Sequence, residues 1–118
     1  MNKRKVGTVY ETMAAEYLHN QGYRIVERNF RCRMGEIDII AEDKGYLCFI
    51  EVKFRSGTDC GSPLEAITRK KQQRIIRVAQ YYMAGHGYTL DTLCRFDVVA
   101  IQKNEITLLR DAFCSQGE

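Results

Sequence analysis

Histidine is nearly missing from this chain: His19 and His86 are the only two, and they stand far apart in the sequence. They are too few and too scattered for a histidine-built metal centre or a Ser-His-Asp arrangement. The five cysteines (Cys32, Cys48, Cys60, Cys94 and Cys114) are odd in number, with no C-x-x-C pair and no histidine at zinc spacing. They read as reduced thiols, and Cys48 as a small buried hydrophobe. No apolar run approaches the length of a membrane span, and the basic segment 1–5 is not followed by the apolar stretch of a secretory signal. A cytoplasmic protein with no membrane partner is the expectation. Repeats, linkers and low-complexity tracts are also missing, which leaves one domain over residues 1–118.

With histidine and cysteine set aside, the chemistry falls to carboxylates, lysine and arginine. Hydrophobic residues make up 45% and charged residues 28%, which excludes a disordered chain. A net charge of +3 decides little, but its distribution says more. Arg24, Arg28, Arg31 and Arg33 crowd one segment, and Arg69, Lys70, Lys71, Arg74 and Arg77 crowd another. Such clusters are either the footprint of a phosphate backbone or the solvated faces of a strand and a helix.

The periodicity predicts a helix over Lys5 to Gln21, with Gly22 as its stop. Glu11 shares a helical face with Ala14, Ala15 and Leu18, either as a flank residue or as an acid directed at the sheet. Strands are expected over Arg24–Cys32, Gly35–Asp43, Tyr46–Phe54 and Cys94–Gln102, with an optional last one at Glu105–Arg110. Ser62 at the N-cap, Pro63 and Glu65 read as a capping box opening a helix that runs to about Ala84. Lys71 interrupts its apolar stripe of Leu64, Ile67, Ile75, Val78 and Tyr82, as a snorkelling lysine or a functional one. The Tyr46–Phe54 strand carries apolar residues on both faces, as a central strand covered on both sides does.

The most informative feature is the pair of runs GEIDIIAED and YLCFIEVKF around a turn at Lys44-Gly45. A two-residue hairpin loop pairs Asp43 with Tyr46 and so sets Asp38 across from Glu51 and Glu36 across from Lys53. Like charges facing each other across strands are destabilising and require a cation. A three-residue loop would slip the pairing by one and send the two carboxylates to opposite faces. The alternative is a solvent-facing row of ordinary salt bridges.

An Asp in one strand and Glu-x-Lys in the next, within an α-β-β-β-α-β order, resembles the PD-(D/E)XK nuclease superfamily. The closer likeness is to the bacterial YraN-like family, itself similar to Holliday-junction resolvases. It is carried by Gly7-x-x-x-Glu11, Gly22-Tyr23, Arg28-Asn29-Phe30-Arg31, Gly35-Glu36-Ile37-Asp38, Phe49-Ile50-Glu51-Val52-Lys53-x-Arg55, Lys71-Gln72-x-Arg74 and Arg95-Phe96-Asp97. Ile37 stands where the superfamily often has proline. The resemblance implies a single-domain α/β restriction-endonuclease-like fold, with a mixed central sheet flanked by helices. It implies Asp38 and Glu51 as ligands of Mg²⁺ or Mn²⁺, Lys53 as the catalytic lysine and Glu11 as a further acid. Arg55, Lys71, Gln72 and Arg74 are then expected to hold nucleic acid, DNA before RNA, in branched or single-stranded form, with a homodimer as an allowed assembly. A nucleic-acid-binding module without turnover is the alternative.

Overall fold

The computed structural model describes residues 3–55, 61 and 63–114. In chain order the elements are α1 (Lys3–Asn20), β1 (Arg24–Cys32), β2 (Gly35–Asp43), β3 (Tyr46–Arg55), a 3-10 turn (Pro63–Ala66), α2 (Arg69–Gly85), β4 (Cys94–Gln102) and β5 (Glu105–Phe113). The strands form one sheet in the order β1-β2-β3-β4-β5. All neighbours run antiparallel except β3 and β4, which are parallel. That pair must be joined by a crossover, and α2 is its helix. The fold is the expected α/β type with a mixed sheet, and the optional last strand is real. It continues past Arg110 to Phe113, whose ring stacks on Phe96 at 5.1 Å.

The two helices take opposite faces of the sheet. Under α1, Ala14 and Leu18 pack on Ile39, Ala41, Cys48, Ile50, Val99 and Ile101. Under α2, Ile75, Val78, Ala79 and Tyr82 pack on Ile40, Leu47, Phe49 and Phe96. β3 therefore buries both its faces, from Leu47 to Ile50, immediately before Glu51. Burying each large apolar side chain stabilises by about 1.5–3 kcal/mol, which together offsets the several kcal/mol of holding one paired carboxylate out of water. Burial also pushes the Cys48 thiol up to about 12, so it stays protonated and inert. Cys32, Cys48, Cys94 and Cys114 are free thiols, and Cys60 lies outside the described residues.

The start of the second helix differs from the sequence expectation. Pro63 opens a 3-10 turn, and the α-helix begins only at Arg69. Ile67 is turned into the core at 4% exposure, and Thr68 then takes an extended backbone (φ −65°, ψ 158°). Thr68 is the N-cap, its hydroxyl accepting from the Lys71 N–H at 3.1 Å. Seating Ile67 breaks the helical run that a Ser62 capping box would have started; Ser62 itself lies outside the described residues. The helix ends as expected, with His86 N–H bonded to the Tyr82 and Met83 carbonyls.

A buried polar network ties β2, β4 and β5 to Tyr23, the residue just before β1. Asp97, fully buried on β4, accepts from the Tyr23 hydroxyl (2.8 Å), Arg95 Nε (3.0 Å) and the Asp111 N–H (2.9 Å). Arg95 Nη2 also reaches Asp43 Oδ2 at 2.8 Å. Every charge here has its partner inside the network. Removing Asp97 would leave Arg95 with Asp43 alone and strip the Tyr23 hydroxyl and the Asp111 N–H of their acceptor, and breaking a buried charge pair of this kind costs about 3–5 kcal/mol. Asp97→Ala is expected to lose stability on that scale in urea unfolding; an unchanged midpoint would show that the network contributes little.

Candidate functional site

Asp38 and Glu51 meet where β2 and β3 cease to pair. The hairpin turns at Lys44 (φ 51°) and Gly45 (φ 89°), the two positive angles of the hairpin turn that best matches strand twist. This fixes the register from Asp43–Tyr46 through Ile39–Ile50, where the ladder ends. Asp38 falls one step beyond, on the Glu51 level of that register. Here the Val52 N–H is donated to Asp38 Oδ2 at 2.8 Å, so a side chain replaces the missing ladder bond.

A kink on the other side of Asp38 completes its placement. Pairing of β1 with β2 steps from Arg28–Ile39 to Phe30–Ile37, and between them Asn29 takes a left-handed backbone (φ 56°). Residues two apart in a regular strand share a face. Here Arg28 reaches Thr12 of α1 (3.1 Å), whereas Phe30 packs edge-on against Tyr82 of α2. Ile39 and Ile37 split between the two cores in the same way. Both strands thus change face at the Asn29–Asp38 level, and Asp38 becomes accessible to groups from either side. Asparagine tolerates this backbone better than most residues do.

From the α1 side comes Glu11. Burial and the negative charge of Asp38 raise its carboxyl above the ordinary range, while an Asn29 side-chain hydrogen bond and Arg28 act against that. From the α2 side comes Lys71, with Nζ at 3.4 Å from Glu51 Oε2. Burial and the adjacent Glu51, by charge and by hydrogen bond, push Asp38 up to about 7 from an ordinary 3.8. Asp38 is thus held toward its neutral form by enclosure first and by the neighbouring Glu51 second. Asp38 and Glu51 are the residues that could hold a metal.

Lys53 lies one strand repeat beyond Glu51. With Glu51, Thr68 and Lys71 it lines a pocket of about 180 Å³. It makes no ion pair among the described residues. The expected Glu36–Lys53 pairing is not formed, because the β2–β3 ladder ends before that level. Glu36 instead bonds Arg31, its register partner across β1, at 3.0 Å. Among the four residues expected to hold nucleic acid, two are turned inward. Arg55 is 7% exposed and donates to the Gly61 carbonyl at 3.1 Å, and Gln72 donates to the Ile67 carbonyl at 3.1 Å. Both brace the segment leading into α2. Arg74 is exposed, and with Lys71, Arg31, Gly35 and Glu36 it lines a groove of about 430 Å³ next to the acid pair. Gly35 takes a φ of 148° that side-chain-bearing residues rarely adopt, and a Cβ there would stand 3.0 Å from Arg74 Cδ.

Residues 10–101 match the family described as Uncharacterised protein family UPF0102. The chain belongs to that family. A UPF0102 protein of Lachnoclostridium phytofermentans is 51% identical over 117 residues, covering 99% of both chains. One from Clostridium botulinum strain Loch Maree is 46% identical over 116 residues, covering 93% of this chain and 94% of the relative. One from Chlorobium chlorochromatii is 50% identical over 97 residues, covering 82% and 74%. The matched UPF0102 span contains Glu11, Asp38, Glu51, Lys53 and Lys71. No described helix is long and apolar enough to cross a membrane.

Asn29, Arg28 and Thr12 escaped the sequence reading as members of this site. The signal available was an asparagine inside a strand-like run, a residue depleted in strands but suited to positive φ.

The raised Asp38 carboxyl makes stability pH-dependent. A folded value above the unfolded one means that its contribution is complete below about pH 4 and is lost as pH rises through 7. Asn mimics the protonated acid and keeps an acceptor for the Val52 N–H. Asp38→Asn is therefore expected to be more stable than the wild type at pH 8, by about 1–3 kcal/mol, with little difference at pH 4. Unfolding curves at the two pH values check this; a variant less stable at pH 8 would contradict it.

Proposed function

We propose that this protein is a metal-dependent nuclease acting on DNA. The observation that carries the reading is the Asp38–Glu51 pair, where burial and the neighbouring Glu51 push Asp38 up to about 7, with Lys71 linking Glu51 to a basic groove. The donor set fits a hard divalent cation such as Mg²⁺ or Mn²⁺, which takes one or two carboxylates and retains several waters. When bound, such an ion supplies Lewis-acid neutralisation of the scissile phosphate. Asp38 and Glu51 would hold it, and the Val52 N–H and Glu11 would orient Asp38. Lys53, in the pocket beside Glu51, stabilises negative charge developing on the phosphate with an ammonium that no carboxylate among the described residues has taken.

Arg31 and Arg74 in the neighbouring groove suit the sugar-phosphate backbone, a contact that positions a strand without reading its sequence. The preferred substrates are branched or single-stranded DNA, in line with the likeness to junction resolvases. A second reading, a DNA-binding module without turnover, rests on the same basic groove, whose Arg31, Lys71 and Arg74 suit a phosphate backbone with or without a metal at the acid pair.

Labelled branched, single-stranded and duplex DNA, incubated with Mg²⁺ or Mn²⁺ and with chelator, separates the two. The nuclease reading expects metal-dependent products, and a loss of about 100-fold or more in rate for Lys53→Met with an unchanged melting curve. Retarded DNA without products identifies the binding module. Cleavage by Lys53→Met at the wild-type rate would make the lysine structural. DNA affinity is also expected to fall steeply with salt, as released counterions require, and to show little preference among duplex sequences. Titrations at several salt concentrations check this, and salt-independent binding would contradict it.

A further inference from the structure

We propose that Lys71 is an internal counter-ion displaced by the divalent cation and transferred to the nucleic-acid phosphate, so that metal and DNA bind cooperatively. This inference rests on the nuclease reading. Glu51 is well enclosed, its side chain 12% exposed, and the Lys71 ammonium is the cation at 3.4 Å from it. A divalent ion held by Asp38 and Glu51 would repel that ammonium and take over its partner. Lys71 has a second place to go, because it lines both the small pocket with Glu51 and Lys53 and the groove with Arg31 and Arg74. Its backbone N–H is fixed on the Thr68 cap, so the four-carbon stem can swing between them without movement of α2. In the groove it joins Arg74, three residues on along the same helix and so on a neighbouring face.

Coupling of this kind is reciprocal: whatever factor the metal adds to DNA affinity, DNA adds to metal affinity. Lys71 is therefore a positioning residue whose role appears in binding before it appears in rate.

The test is calorimetric titration of Mn²⁺ into DNA-free protein at pH 8, for wild type, Lys71→Met, Lys71→Gln and Lys71→Arg. It is joined to anisotropy titrations of a labelled single-stranded oligonucleotide with and without Ca²⁺. Removing the internal cation is expected to tighten Mn²⁺ binding by about fivefold or more in the Met and Gln variants, while the Arg variant stays near wild type. Ca²⁺ is expected to raise oligonucleotide affinity in wild type and to lose that effect in the Met and Gln variants. Two neutral variants keep the result readable should one of them fold poorly. Equal Mn²⁺ affinity in all four proteins, or metal and oligonucleotide binding that do not influence each other, would overturn the switch while leaving the nuclease reading intact. Absence of Mn²⁺ binding even in wild type would overturn both.

Discussion

Two carboxylates placed side by side in an enclosed site are the constraint around which this protein is arranged. Asp38 and Glu51 would repel each other in any ordinary sheet, and a strand pair would relax by turning one of them away. Here neither can leave. Glu51 follows directly on the doubly buried run of β3, and Asp38 is bound to the Val52 N–H where the strands part. The apolar contacts of β3 on both sides are what make the crowding tolerable, since their sum exceeds the cost of keeping one acid partly neutral.

The same chain contains a second pair of close acids, and the contrast is instructive. Asp43 and Asp97 both accept from the one Arg95 nitrogen, with the Tyr23 hydroxyl and the Asp111 N–H filling further acceptor positions. That network is saturated, and its role is to hold three strands and the entry to β1 together. The Asp38–Glu51 pair has one half-exposed lysine and an opening toward a basic groove. Saturation separates a structural cluster of acids from one that has capacity left for a ligand.

Much of this was legible in the residues. The Lys44-Gly45 turn and strict alternation gave the hairpin register, and hence the Asp38–Glu51 proximity, because a two-residue loop leaves no other pairing. The helical spacing of Glu11 with Ala14 and Leu18 left it either on the flank of α1 or directed at the sheet, and the influence of the Asp38 charge on its carboxyl puts it on the sheet side. Hidden from the sequence was the point at which the ladder stops, since this depends on the shared kink at Asn29 and Asp38, a property of two strands together. For that reason the Glu36–Lys53 pairing was expected and does not form. Arg55 and Gln72 were expected at nucleic acid through the resemblance, whereas their hydrogen bonds to the Gly61 and Ile67 carbonyls depend on how the segment before α2 folds back, which no local pattern encodes. The capping box at Ser62 lost to Thr68 because seating Ile67 in the core outweighed a local start signal.

The raised carboxyl of Asp38 is open to direct observation. Carboxyl-carbon NMR of the protein, labelled at aspartate and glutamate, reports each acid's titration separately. The account predicts that Asp38 titrates near 7 in metal-free protein and returns toward the ordinary carboxylate range when Mg²⁺ is added. An Asp38 that titrates near 4 and ignores Mg²⁺ would contradict it.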